Sequence, residues 1–182
     1  MLALPFVYWG KSSFQQGNTL EYHLLPYHCL DVVAVADIWW GSSASLRKAF
    51  CSNAKSSESE IKAWVLFFIA LHDIGKFDFR FQNKVPELWR ELSSACLDHN
   101  SPGCHVFKEY NHGSGGLALF YSDYFNSKAE PVTDRTQFGV NRTHSYQSWA
   151  PWMEAVTGHH GFITKISRAV GEHSFPQECA TL

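Results

Sequence analysis

Hydrophobic positions in this chain gather into a few runs with helical spacing, set apart by polar, turn-forming stretches. None of the runs alternates with the period of two that a half-buried strand requires. Residues 27–40 (YHCLDVVAVADIWW) place Leu30, Val33 and Ala34 on a helical repeat, and Pro26 suits a first turn. This predicts a helix with His28 near its N-terminal end and Trp39 and Trp40 in the core. After a serine-rich stretch, Ser57 and Glu60 have capping-box spacing ahead of a second helix. Residues 63–71 are apolar on nearly every face, which predicts a central buried element. Gly75 is placed to stop it, so that His72 and Asp73 fall in its last turn.

Further along, PELWRELSSACL predicts one helix from Pro86, and residues 97–110 read as a loop with a turn at Pro102-Gly103. Asn111 and His112 precede GSGGLALFYSDYF, a helix whose early glycines admit another backbone at close range. Residues 126–148 are polar and turn-rich. Residues 149–160 (WAPWMEAVTGHH) predict an aromatic-rich helix closed by Gly161. The expected architecture is all-α, a helical bundle around one buried helix.

Composition narrows the class. At 182 residues with 45% hydrophobic content the chain suits one globular domain. Its longest apolar stretch is well short of the roughly 20 residues that span a bilayer, and the N-terminus lacks an export signal. Five cysteines without a CxxC pair indicate neither a disulfide framework nor a thiolate zinc site, so a cytoplasmic location and no membrane partner are expected. A net charge of -2 excludes a general polyanion-binding surface, leaving room only for local DNA contacts.

Ten histidines are the compositional oddity. His72 and Asp73 are adjacent, and on a helix their side chains diverge by about 100°. Such a pair reaches two metals, or one metal at a helix end. His28, His112, His159 and His160 all lie at or near predicted helix ends and can supply the remaining ligands. Imidazoles with a carboxylate suit Mn, Fe, Co, Ni or Zn, which points to a hydrolytic metal centre. His23, His99, His105, His144 and His173 are scattered and read as ordinary core or surface groups. Cys29, beside His28, reads as a small buried hydrophobe ahead of a nucleophile.

The order His28, His72-Asp73, His112, His159-His160 resembles the HD superfamily of metal-dependent phosphohydrolases. More closely, YHCLDVVAVADIWW, FFIALHDIGKFDFRFQ, NHGSGG and EAVTGHHGF resemble the HD nuclease domain of the type I CRISPR-associated helicase-nuclease, most like subtype I-E. The resemblance runs over residues 8–162. The expected division is an HD domain over residues 1–162 and an irregular tail over 163–182, where the sequence shows no convincing pattern. The resemblance implies one or two divalent transition metals (Mn, Fe, Co or Ni). It also implies cleavage of the single-stranded DNA displaced by an RNA-guided surveillance complex, with a helicase that this chain lacks. His28, His72, Asp73, His112, His159 and His160 match the metal positions, with Asp73 bridging if two ions bind. A divalent metal lowers the pKa of water and neutralises charge on phosphate, which fits the chemistry.

His72, Asp73 and Lys76 form the expected catalytic group. Lys76, on the turn after Asp73, is placed to set an ammonium against the phosphate. Arg80 and Lys84 extend that basic strip along a strand. Trp149 and Trp152 read first as core, with base stacking beside a metal cleft as the alternative. WGKSS superficially resembles a phosphate loop, but the pattern needs glycine where Pro5 stands, so no ATP is expected.

One departure from the family pattern stands out. Members carry a late aspartate in a motif like LADW, whereas residues 163–182 contain no aspartate. Asp31, Asp37, Asp78 and Glu154 are candidate substitutes that spacing alone does not rank. The chain reads as a separate HD subunit, an excised fragment or a remnant of a longer gene; a remnant predicts exposed apolar surface. Loss of the late ligand predicts impaired cleavage. Two alternatives stay open: an inactive HD module that docks on the surveillance complex, and an HD nucleotide phosphohydrolase.

Overall fold

The structure, a computed structural model, describes residues 4–14, 20–94, 110–125, 142–163 and 165. A 3-10 turn, Leu4–Val7, leads into β1 (Trp9–Phe14), which pairs antiparallel with β2 (Leu20–Leu24). Helices α1 (Leu25–Ser42), α2 (Ala44–Cys51) and α3 (Glu58–Ala70) follow. A second 3-10 turn, Ile74–Phe77, joins α3 to α4 (Phe79–Gln82) and α5 (Pro86–Ser93), and the described part ends with α6 (His112–Phe125) and α7 (Arg142–Thr157). The fold is all-α, as the periodicity predicts, with one small hairpin added.

Local chemistry explains the boundaries. Pro26 sits in the first turn of α1, and the Leu25 amide donates to the Tyr8 carbonyl at 2.8 Å, fastening the helix start to the chain just before β1. At α3 the capping box forms: the Ser57 hydroxyl accepts from the Glu60 amide, and the Glu60 carboxylate accepts from the Ser57 amide at 2.8 Å. Asn111 caps α6, its Oδ1 accepting from the amides of Gly113 and Ser114. That cap fixes His112 at the first residue of α6.

The apolar residues settle into three clusters. One joins Val7, Trp9, Leu25, Phe81, Leu88 and Tyr110 beneath the hairpin. A second gathers Phe68, Leu117, Phe120 and Met153 between α3, α6 and α7, and a third gathers Trp40, Ile61 and Val65 between α1 and α3. Trp152 stacks on Phe68 with centroids 5.3 Å apart, and Trp149 meets Trp64 and Phe68 edge-on. Both rings therefore belong to the aromatic packing, and the base-stacking alternative falls away.

Five expectations need correction. WGKSSF and LEYHL form strands although neither alternates cleanly, because only Trp9 and Gly10 of β1 are buried. Helix α7 begins at Arg142, inside the stretch expected to be turns. Helix α3 stops at Ala70, so His72 and Asp73 lie in the turn beyond it. That helix buries Ile61, Val65 and Phe68 but leaves Trp64 and Phe67 over 40% open, so it is not wholly interior. Trp40 is core, as expected, whereas Trp39 is exposed along with Tyr27, Leu30, Val35 and Ile38 on the outer side of α1. A helix apolar on all faces carries no moment that says which side is buried. The loop expected over residues 97–110 lies outside the described residues except for Tyr110, as does the tail except for Ile163 and Lys165.

Candidate metal centre

Four separate segments deliver the histidine and aspartate set to one place. His28 comes from the first turn of α1, and His72 and Asp73 from the turn after α3. His112 opens α6, and His159 and His160 occupy the turn after α7, which Gly161 closes with a φ of 85°. Convergence of the α3 turn with α6 depends on bare backbone. A side chain on Gly75 would collide with the His112 carbonyl, and its Cβ would stand 2.9 Å from the Cα of Gly116. The expectation that the α6 glycines admit a second backbone is met here. Tyr110 adds a strap, its hydroxyl donating to the Gly75 carbonyl at 2.9 Å.

Asp73 is the centre of the arrangement and is 1% exposed. Its two carboxylate oxygens face different partners. Oδ2 lies 3.0 Å from His28 Nε2 and 3.2 Å from His72 Nε2, while Oδ1 lies 3.3 Å from His112 Nε2 and 3.5 Å from His159 Nε2. His160 Nε2 stands 3.0 Å from His112 Nε2. The donor atoms thus fall into two groups, one of His28, His72 and Asp73 and one of Asp73, His112, His159 and His160, each within 4.8 Å.

The protonation pattern suits ligation. His72 Nδ1 lies 2.8 Å from the Ile69 carbonyl and His159 Nδ1 lies 2.8 Å from the Val156 carbonyl. A carbonyl only accepts, so each Nδ1 carries the proton and each Nε2 keeps its lone pair toward Asp73. Burial lowers the pKa of His28 and His159, which outweighs the pull of the Asp73 carboxylate toward protonation and keeps both rings neutral. Burial alone would raise the Asp73 pKa. The Lys76 ammonium, 2.7 Å from Oδ2, opposes it, and the carboxyl lies far below the usual range, hence ionised.

A buried anion flanked by imidazole lone pairs is a poor apoprotein arrangement. Oδ1 is buried without an aligned hydrogen-bond donor, since His112 and His159 approach it at distance but not in hydrogen-bond geometry. A divalent cation removes this conflict, and five imidazoles with one carboxylate fit a first-row transition metal. In metal-free protein the depressed histidine pKa values make stability pH-dependent. Below about pH 6.5 the unfolded chain takes up protons that the folded one refuses, so stability is lost as pH falls. Urea midpoints of metal-free protein are expected to drop between pH 7.5 and pH 5.5; a constant or rising midpoint would contradict this protonation pattern.

The basic residues behave differently from expectation. Lys76 Nζ is buried and donates to Asp73 Oδ2 at 2.7 Å and to the Gly10 carbonyl at 2.9 Å. Arg80 lies on α4 and forks onto Asp78 at 2.6 and 2.9 Å while its guanidinium covers the Tyr110 ring. Lys84, in the turn after α4, donates to the Tyr110 carbonyl at 2.9 Å. The basic strip expected from Arg80 and Lys84 is thus spent on internal contacts. Replacing Lys76 by methionine is expected to cost about 3–5 kcal/mol of stability, because it strands a buried carboxylate. A chemical-denaturation curve tests this, and an unchanged midpoint would show that the ammonium does not hold Asp73.

Sequence reading missed Gln82, which is fully buried. Its amide donates to the carbonyls of Trp9 and Lys76 at 2.9 and 2.7 Å, and its Oε1 accepts from the Trp9 amide at 3.0 Å. It ties the hairpin to the HDIGK turn; a glutamine ending an aromatic segment was the only local signal. None of the candidate substitute carboxylates enters the centre. Asp37 pairs with Lys62, Asp78 with Arg80 and Glu154 with Lys165, while Asp31 lies 3.5 Å from His23. Burial pushes the Cys29 thiol up to about 11, in keeping with a non-nucleophilic role. Among the described residues no helix is long and apolar enough to cross a membrane.

Comparison with known proteins gives this geometry a family. The chain is 50% identical over 156 residues, 86% of its length, to the CRISPR-associated endonuclease/helicase Cas3 of Escherichia coli (strain K12). It spans 17% of that relative's length. No solved structure matches it. The family model described as "Cas3, HD domain" matches residues 9–180, so nearly the whole chain is covered, and the chain belongs to the Cas3 HD-domain family.

Proposed function

We propose that this chain is a metal-dependent HD nuclease domain that cleaves single-stranded DNA in type I CRISPR interference. The observation that carries the proposal is Asp73, whose two oxygens each face a separate histidine group and can be shared by two cations. Divalent ions held there lower the pKa of water and neutralise charge on a phosphodiester. The residues of the chain do the rest. Asp73 stays ionised, Lys76 holds its Oδ2, and the carbonyls of Ile69 and Val156 set the His72 and His159 tautomers. Manganese, iron, cobalt or nickel suits the donor set.

A polymer suits the shape of the centre better than a free nucleotide. His160, Gly161 and Phe162 are all exposed, so among the described residues the Oδ1 side opens outward. A cavity of about 390 Å³ lies there, lined by Tyr110, His112, His160 and Phe162 among others. Delivery of the strand by an RNA-guided surveillance complex and a helicase belongs to the same proposal, as does a location in the cytoplasm. A second reading, an inactive module that docks on that complex, draws on the donor groups holding no carboxylate other than Asp73 among the described residues.

The test begins with protein purified without chelator or histidine tag. Bound metal per chain is measured, and circular single-stranded DNA and a nucleotide panel are offered with manganese, nickel or cobalt. DNA degradation dependent on metal is the expected result. Hydrolysis of nucleotides with intact DNA would identify a phosphohydrolase, and bound metal without turnover of either would support the docking module.

A further inference from the structure

The WGKSS segment has no place in the metal centre proper, yet the fold lays it along one side. Gly10 packs so closely on α1 that an added Cβ would stand 3.1 Å from His28 Cβ and 3.1 Å from Leu25 Cα. The register slips between Trp9 and Lys11, and Lys11 then pairs directly with His23 across the hairpin. Directly opposed residues of an antiparallel pair share a face, so the Lys11 and His23 side chains leave the sheet on the same side. That side adjoins the centre: the His23 ring lies 6.2 Å from the His28 ring, edge to face. Neither residue is buried; Lys11 is exposed, and the His23 side chain is 41% open.

Hydrolysis of a polyanionic strand needs cations that hold neighbouring phosphates, and the obvious candidates are committed elsewhere. Lys76 is locked on Asp73 and Gly10, Arg80 on Asp78 and Lys84 on Tyr110. Lys11 differs: among the described residues no carboxylate pairs with it, and its charge reaches His28. We propose that Lys11 binds a backbone phosphate of the substrate strand flanking the phosphate at the metal centre. The glycine before it lets β1 lie against α1, which brings the ammonium to the rim on the His28 side. Lysine serves here as a point charge, tolerant of sequence and of strand conformation.

This inference rests on the nuclease reading, and the experiment separates the two. Binding of a labelled oligothymidylate to the whole chain is followed by anisotropy over a range of salt for wild type, Lys11→Ala and Lys11→Arg. Metal per chain and cleavage kinetics on the same oligonucleotide are measured in parallel. Lys11→Ala is expected to weaken binding roughly tenfold. It should also flatten the slope of log affinity against log salt by about 0.7, as one single-strand phosphate contact predicts. KM should rise more than kcat falls, Lys11→Arg should restore most of the affinity, and metal content should match wild type. Wild-type affinity and salt slope in Lys11→Ala, in a protein whose parent binds and cleaves, would overturn the Lys11 assignment alone. A parent that holds metal but neither binds nor cleaves the oligonucleotide would overturn both.

Discussion

Asp73→Ala is expected to leave the protein with almost no bound transition metal and to lower turnover of single-stranded DNA by roughly a thousandfold or more. Asp73 is the one residue common to both donor groups, so its removal takes a ligand from each. Charge neutralisation by metal contributes several kcal/mol to such reactions, and each 1.36 kcal/mol is tenfold in rate. The variant also leaves Lys76 buried without its carboxylate, which costs stability on its own account. Asp73→Asn separates the two effects. It preserves the shape and leaves Gly10 as an acceptor for Lys76, but it places a neutral amide where both histidine groups converge. Metal analysis on folded Asp73→Asn is the decisive measurement: a metal content equal to wild type would remove Asp73 from the ligand set.

Gly75→Ala is expected to be as damaging through a different route. The methyl group would run into the His112 carbonyl and crowd the backbone of Gly116, and neither of these atoms belongs to a flexible side chain. Overpacking against backbone is expected to cost about 3 kcal/mol or more. To relieve it, α6 must move away from the HDIGK turn, which carries His112 away from Asp73. Denaturation curves and metal content should therefore fall together. Gly41 offers the control, since nothing lies within 4 Å of an added Cβ there. Gly41→Ala in the last turn of α1 is expected to add roughly 0.5–1 kcal/mol through helix propensity. Equal effects of the two substitutions would mean that close approach at Gly75 is not what joins α6 to the turn.

How much of this was legible in advance depends on the range of the forces involved. The capping box at Ser57 and Glu60 and the helix starts at Pro26 and Pro86 follow from residues within one turn of each other. The six histidine and aspartate positions were likewise readable, because each sits in a short motif at the end of a helix. The hairpin was not, since WGKSSF gains its strand conformation from pairing with LEYHL and from Gln82, 73 residues away from Trp9. The surroundings of the cations were out of reach for the same reason: the partners of Lys76 and Lys84 include carbonyls 66 and 26 residues distant.

Sequence by itself therefore determined the helical class, the set of candidate ligands and the chemistry they suit. Only the tertiary structure decided that Asp73 stands between two histidine groups, that Lys76 is bound inward on it, and that Lys11 pairs with His23 across the hairpin. Ligand identity is a property of side chains, but the direction of a charge is set by whichever acceptor the folded backbone brings within reach.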